Sequence, residues 1–315
     1  MSERLPLGID LGESRVRVAA LARKGSAVRL IGIGCADVVG TVEDALAAAL
    51  REVGSGHAKA VTMIRACEAR LRSARFPAIS SRETRRAAYF EGVASFGDQP
   101  EPITVRSMAL RHDCGEQRML IAAARAATVQ RAAAILKSAR LSAVRIDHEG
   151  CVLARTGQLP LLDIGLRRST LVVLSGGIPV VRTVPLGGRD FTNALANELG
   201  TDAETAEIRK RTIGLGGAGS AALQAFCASI AGEFRALREE EGLQANRLRL
   251  NGNGARLPDL MPALEHLLGL EILPVTLDEL LVADLPPHVV NTAALDSFTA
   301  VAAALPDGSL KRLAA

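Results

Sequence analysis

The chain has 315 residues, 48% of them apolar but only 3% aromatic with no Trp, and a formal net charge of +4. That length accommodates two domains with aliphatic cores, and so mild a basic balance does not by itself make a nucleic-acid binder. The five cysteines (Cys35, Cys67, Cys114, Cys151, Cys227) are odd in number and never spaced C-x-x-C, which argues against a disulfide framework or zinc site and fits a reducing cytoplasm.

In chain order, residues 7–21 (LGIDLGESRVRVAAL) alternate apolar and polar around Gly12, which predicts a strand, a tight turn and a returning strand. A third strand follows at 27–34. Thr41, followed by Glu43 and Asp44, caps a helix reaching Val53, and 58–64 returns as a strand. Ser80 and Glu83 have capping-box spacing, so a helix is expected from there to about Gly97. Strands at 103–110 and 118–124 precede an amphipathic helix at 127–140, with Val129, Ala132, Ala133 and Leu136 on one face. A strand at 141–147 and a helical link at 148–156 complete the first half.

The second half opens with a near copy of the hairpin, residues 160–174 (PLLDIGLRRSTLVVL), with Asp163 and Gly165 in register with Asp10 and Gly12 at an offset of 163 − 10 = 153 residues. A strand at 178–186 ends in Gly187-Gly188. Helices are expected at 190–199, stopped by Gly200, and at 203–211, where Thr201 and Glu204 have capping-box spacing. Residues 212–232 are uncharged but broken by glycines, so they read as a loop leading into a helix at 221–241 rather than a membrane span. Short strands at 247–250 and 271–274 flank Asn251-Gly252-Asn253-Gly254 and a helix at 258–268, and a last helix covers about 293–304.

The two D-x-G turns carry readable chemistry. Glycine lets backbone N–H groups approach a phosphate, and a neighbouring aspartate can hold hydrated Mg²⁺, so Asp10 and Asp163 are the metal candidates. Glu207 and Lys210 are three apart and share a helix face; a carboxylate there can accept ribose hydroxyls while the lysine stem covers a base. Arg65, Arg70, Arg72, Arg75, Arg82, Arg85 and Arg86 crowd one segment against only Glu68 and Glu83, which reads either as a solvated face or as a docking surface for an acidic partner or anionic headgroups.

Two such hairpins, followed by A-E-x-x-K at 206–210, resemble the actin-like ATPase superfamily. Residues 163–188 (DIGLRRSTLVVLSGGIPVVRTVPLGG) are similar to the second phosphate hairpin of the type IV pilus PilM proteins and their relative FtsA. The resemblance covers nearly the whole chain and implies a two-lobed actin-like (ribonuclease H-like) α/β fold. Residues 1–155 would form the first lobe, with a small inserted 1C-like subdomain at 71–117. Residues 156–292 would form the second lobe, and 293–315 a C-terminal helix returning to the first. It implies ATP with Mg between Asp10, Gly12 and Glu13 on one side and Asp163, Gly165, Arg167, Arg168, Gly187 and Gly188 on the other. Glu207, Lys210, Gly252 and Gly254 would surround the nucleoside. Two departures from the family pattern point to a degenerate cleft: Glu13 where a hydroxyl is usual, and Leu166-Arg167-Arg168 where small residues are usual. Acid on one hairpin and base on the other suggest a salt bridge in place of phosphate, Glu13 to Arg167 or Arg168.

The function so implied is a cytoplasmic scaffold peripheral to the inner membrane, at most a weak ATPase. It would dock the cytoplasmic tail of a PilN-like membrane protein near Arg75, Arg82, Arg85 and Arg86. Pilus motor ATPases and self-association are further candidate contacts, and nucleic acid is not. A small-molecule kinase of the same superfamily would need an additional activating carboxylate, and none stands out in the sequence. An FtsA-like division protein would need a C-terminal amphipathic membrane helix, for which 305–315 (LPDGSLKRLAA) is too short and mixed.

Overall fold

In the computed structural model, the described residues are 3–306, apart from 55, 78, 99, 114, 115, 278, 279 and 284–286; the tail at 307–315 therefore lies outside them. The first lobe starts with an edge strand β1 (Glu3–Arg4) and the antiparallel run β2 (Leu7–Leu11), β3 (Arg15–Lys24) and β4 (Ala27–Asp37). Helix α1 (Val42–Val53) begins where Thr41 accepts from the Asp44 N–H, as its sequence predicts, and leads to β5 (Lys59–Ile64). Then come β6 (Ala69–Pro77), α2 (Ser81–Ala94), β7 (Ile103–Asp113), β8 (Glu116–Arg125), α3 (Ala126–Ser138), β9 (Ser142–His148) and the linking helix α4 (Glu149–Ala154).

The second lobe repeats the scheme with β10 (Leu161–Ile164), β11 (Ser169–Ser175) and β12 (Ile178–Val184). Helices α5 (Gly188–Leu199), α6 (Ala203–Ile213) and α7 (Ser220–Glu241) follow. Strand β13 (Arg247–Asn251), a 3₁₀ turn (Asn253–Arg256), α8 (Leu260–Leu268) and β14 (Glu271–Pro274) complete it. A short β15 (Val282–Ala283) and helix α9 (Pro287–Ala304) return to the first lobe. No helix of the described residues is long and apolar enough to cross a membrane.

The central strand orders are β4-β3-β2-β5-β9 and β12-β11-β10-β13-β14. In each, a three-stranded antiparallel meander continues into two parallel strands, so the 153-residue offset reflects a repeated sheet. Helices α4 and α9 fill the space between the two sheets, where Phe298 and Val301 pack with Leu21, Leu153, Leu161 and Val172. Burying a side chain such as Phe298 contributes about 1.5–3 kcal/mol. Gly8 in β2 permits this contact: a Cβ there would lie 1.9 Å from the Ala300 carbonyl oxygen.

The third sheet, β6-β8-β7, is wider than the expected insertion. Its central strand β8 reaches Arg125 and is paired on both sides, with Ala69 opposite Ala124; a boundary at 117 would cut the strand that joins its neighbours. Met119, Ile121 and Ala123 on one face of β8 pack under Ala88 of α2, whereas Leu120, Ala122 and Ala124 line a groove on the other face. Both halves of the Ser80–Glu83 capping box are present. The cap of α6 is a correction: the helix starts at Ala203 as expected, so the N-cap position falls on Asp202, not Thr201, and Asp202 accepts from the Thr205 N–H.

Candidate functional site

The D-x-G turns lie at the ends of β2 and β10, the central strands of the two repeated sheets, and project carboxylates into one interlobe space. Asp10 accepts a hydrogen bond at 3.0 Å from Arg17 of β3, so its charge is matched within its own hairpin. Among the described residues Asp163 has no ion pair of its own, although the Arg17 charge lies near enough to lower it slightly. It accepts from the side-chain amide of buried Asn251, which also donates to Thr299 Oγ1 of α9 at 2.9 Å. Burial, together with the nearby charges of Glu149 and Asp10, pushes the Asp163 carboxyl up to about 7.

Glu149 corrects the expectation that no additional carboxylate marks this site. It opens α4 at the crossing between lobes, accepting from the Ala66 N–H at 2.9 Å and Thr170 Oγ1 at 3.1 Å. Burial raises its pKa as well. In sequence it looks like an ordinary acid in a helix's first turn; only the parallel placement of β9 beside β5 brings it to the aspartates. Among the described residues, no three His, Cys, Asp or Glu side chains form a direct metal-ligating group. A cation held here through its waters, as Mg²⁺ often is, would relieve the part of the Asp163 shift that comes from Glu149 and Asp10.

The hairpin turns separate two cavities. One, about 290 Å³, is lined by Gly12, Glu13, Arg65, Arg131, Arg167 and Arg168 among others. Here Glu13 lies 3.1 Å from Arg65 and 3.3 Å from Arg167 Nε, so the expected inter-hairpin pair is formed with Arg167. The Arg167 side chain is 60% exposed, and an exposed pair is worth only about 0–1 kcal/mol. Arg65 also donates to the Leu11 carbonyl at 3.0 Å.

The other cavity, about 240 Å³, gathers Gly165, Gly188, Glu207, Lys210, Gly254 and, from the first lobe, Ser14 and Arg15. Lys210 reaches Glu207 at 2.6 Å and both Thr192 Oγ1 and the Gly188 carbonyl at 2.7 Å. Arg211 adds a 2.8 Å bond to Glu207. Burial alone would raise Glu207, but the bonds from Lys210, Thr192 and Arg211 hold it at about 2. Asp296 of α9 closes the rim between Arg15 (3.0 Å) and Arg256 (2.7 Å), tying the lobes together.

Several expected site glycines also make close contacts within their own lobe. A Cβ on Gly252 would lie 2.5 Å from the Ile164 carbonyl oxygen, and one on Gly254 would lie 2.2 Å from Ile164 Cγ2. Both approach β10 closely, and Gly254 also lines the cavity of Glu207 and Lys210. Gly187 likewise nests under the second hairpin, 2.7 Å from Arg168 N and the Gly165 carbonyl oxygen at its would-be Cβ. The Gly165 N–H is taken by the Arg168 carbonyl at 3.0 Å. Asp10, Asp163, Gly187 and Gly252 line neither cavity.

The four arginines expected to hold a partner stand apart from this cleft and from the groove beneath β8. Arg75 on β6 is exposed beside Glu116 at 3.7 Å. Arg82, Arg85 and Arg86 project from the outer face of α2. The groove is about 670 Å³ and runs between the three-stranded sheet and Val144, Arg145, Ile146 and Asp147 of β9. None of the four arginines lines it.

No protein-family model matches the chain, and no curated protein matches it either. Among solved structures, the PilM-PilN type IV pilus biogenesis complex matches at 22% identity over 98% of both chains, with a TM-score of 0.81. The ethanolamine utilization protein EutJ from Carboxydothermus hydrogenoformans matches at 16% identity over 96% of this chain and 89% of its own, with a TM-score of 0.56. The chain has the two-lobed actin-like α/β fold.

Proposed function

We propose that the chain is a PilM-like scaffold of a type IV pilus or related envelope machine. It would act in the cytoplasm, docking the short cytoplasmic tail of a PilN-like inner-membrane protein. The observation that carries this reading is the end-to-end likeness to the PilM-PilN structure, at 98% coverage of both chains. The docking place we assign is the groove under β8 rather than the arginine segment. One wall there is apolar, from Leu71, Leu120 and Ala122, and the opposite wall is β9, an edge strand of its sheet. An extended peptide can add to such an edge through main-chain hydrogen bonds while its side chains enter the apolar wall.

The cleft between the hairpins is proposed to take Mg-ATP. Glu207 and Lys210 would sit against the nucleoside, and Asp163, with Asp10 and Glu149 behind it, would hold the waters of the cation. Bound Mg²⁺ would screen phosphate charge.

Capture of a synthetic tail peptide by the full chain and by Ala122→Trp tests the docking reading. The proposal expects capture by the wild type and at least tenfold weaker capture once the indole fills the groove. Undiminished capture by a folded Ala122→Trp protein would move the docking site elsewhere. Deleting residues 70–124 offers a second variant, because the cut ends lie beside the paired residues Ala69 and Ala124. A folded deletion protein should lose the tail entirely.

A further inference from the structure

We propose that the outer face of α2 is a contact surface for an anionic membrane, separate from the tail groove and from the cleft. Positions 82, 85, 86, 89 and 90 recur at helical spacing, so Arg82, Arg85, Arg86, Tyr89 and Phe90 share one side of the helix. All five are exposed, and Ile79, just ahead of the cap, is exposed with them. The opposite side of α2, carrying Thr84, Ala88 and Gly92, is buried against the sheet.

The chain has only eight Tyr and Phe residues, seven Phe and one Tyr. Leaving Tyr89 48% and Phe90 56% exposed and adjacent, with ring centroids 5.8 Å apart, is therefore an unusual use of scarce aromatic surface. Arg86 lies over the Phe90 ring at 5.7 Å, which places a cation beside an apolar ring. No ion pair to Arg82, Arg85 or Arg86 occurs among the described residues, and both acids of α2 are engaged elsewhere. Glu83 closes the cap with Ser80, and Glu91 pairs with Arg72 of β6 at 2.8 Å.

A membrane fits this chemistry better than an acidic peptide. The face is a convex helix on which none of the three cavities described above opens, so it offers many charges to a plane and no enclosure for a chain. Arginines reach headgroup phosphates with several donors each, and exposed aromatic rings settle at the headgroup level of a bilayer. The two surfaces lie on opposite faces of the three-stranded sheet, so the membrane contact leaves the groove free.

Co-sedimentation of the full chain with vesicles tests the proposal. Phosphatidylethanolamine–phosphatidylglycerol vesicles should bind it, phosphatidylcholine vesicles should not, and added salt should release it. Each basic side chain near such a surface contributes about 1 kcal/mol, roughly fivefold in affinity, so R82E/R85E/R86E should bind on the order of 100-fold more weakly. Tyr89→Ser/Phe90→Ser should weaken binding about tenfold while keeping its salt dependence. Thermal melts confirm folding, and tail-peptide capture should be unchanged in both variants. No binding of wild type to the anionic vesicles overturns the proposal, as does undiminished binding by either variant. Capture by a soluble polyglutamate peptide without any preference for anionic vesicles overturns it too, and assigns the face to an acidic protein.

Discussion

Asp10 and Asp163 occupy equivalent places in two hairpins 153 residues apart, yet their surroundings differ. The first faces Arg17 at 3.0 Å within its own hairpin. The second meets a neutral amide, Asn251, and burial, together with the nearby charges of Glu149 and Asp10, pushes it up to about 7. A repeated motif thus fixes where the carboxylates stand, while residues outside it decide which one is hydrogen-bonded to a cationic side chain and which to a neutral amide.

The largest expected effect comes from removing that compensation. Arg17→Met should destabilise the fold by about 3 kcal/mol, because it leaves a largely buried carboxylate without its partner beside two others. Asn251→Leu on the second hairpin should cost less, about 1–2 kcal/mol, as a hydrogen bond to one acid. Urea denaturation of both variants checks the order, and an equal or reversed order would break the comparison.

Nucleotide affinity sharpens it next. Asp163→Ala should weaken Mg-ATP binding about 10- to 150-fold, the range for an interaction involving charge, and Glu207→Ala only about 2- to 12-fold. The Glu207 oxygens already accept from Lys210, Thr192 and Arg211, so little of their capacity is left for a ribose. Comparable losses by titration calorimetry would contradict the ranking.

The same asymmetry has a pH signature. The folded pKa of Asp163 is raised, so the native state holds the proton more tightly than the unfolded chain. Its contribution to stability is therefore lost as pH rises from about 4 toward 7. Asp163→Asn should gain on wild type across that window, as followed by denaturation at several pH values. Glu207 has the opposite sign: its stabilisation is present above its ordinary value and is lost as pH falls toward about 2.

Much of this was legible beforehand. The strand pattern of residues 271–274 matches β14, and the Thr41 and Ser80 caps stand where their spacing puts them. What escaped depends on distances between segments remote in sequence. The close packing of Gly252 and Gly254 on Ile164 cannot be read from their spacing in the chain. Glu149 and Asn251 acquire meaning only once parallel strands bring their ends together, and the outward face of α2 becomes distinct from the groove only when the sheet stands between them.

The smallest effect is expected at the turn itself. Glu13→Ser removes an exposed contact to Arg167, worth about 0–1 kcal/mol, so Mg-ATP affinity should rise no more than about fivefold. A much larger gain would mean that this pair latches the cleft.

The most direct measurement is proton release on Mg-ATP binding, read by calorimetry near pH 7 in buffers of different ionisation enthalpy. A carboxyl pushed up to about 7 that must ionise to hold a hydrated cation should release a fraction of a proton per site, and Asp163→Asn should abolish that release. Binding without proton release by wild type, or equal release by the variant, would contradict the assignment of Asp163 as the uncompensated carboxylate of the pair.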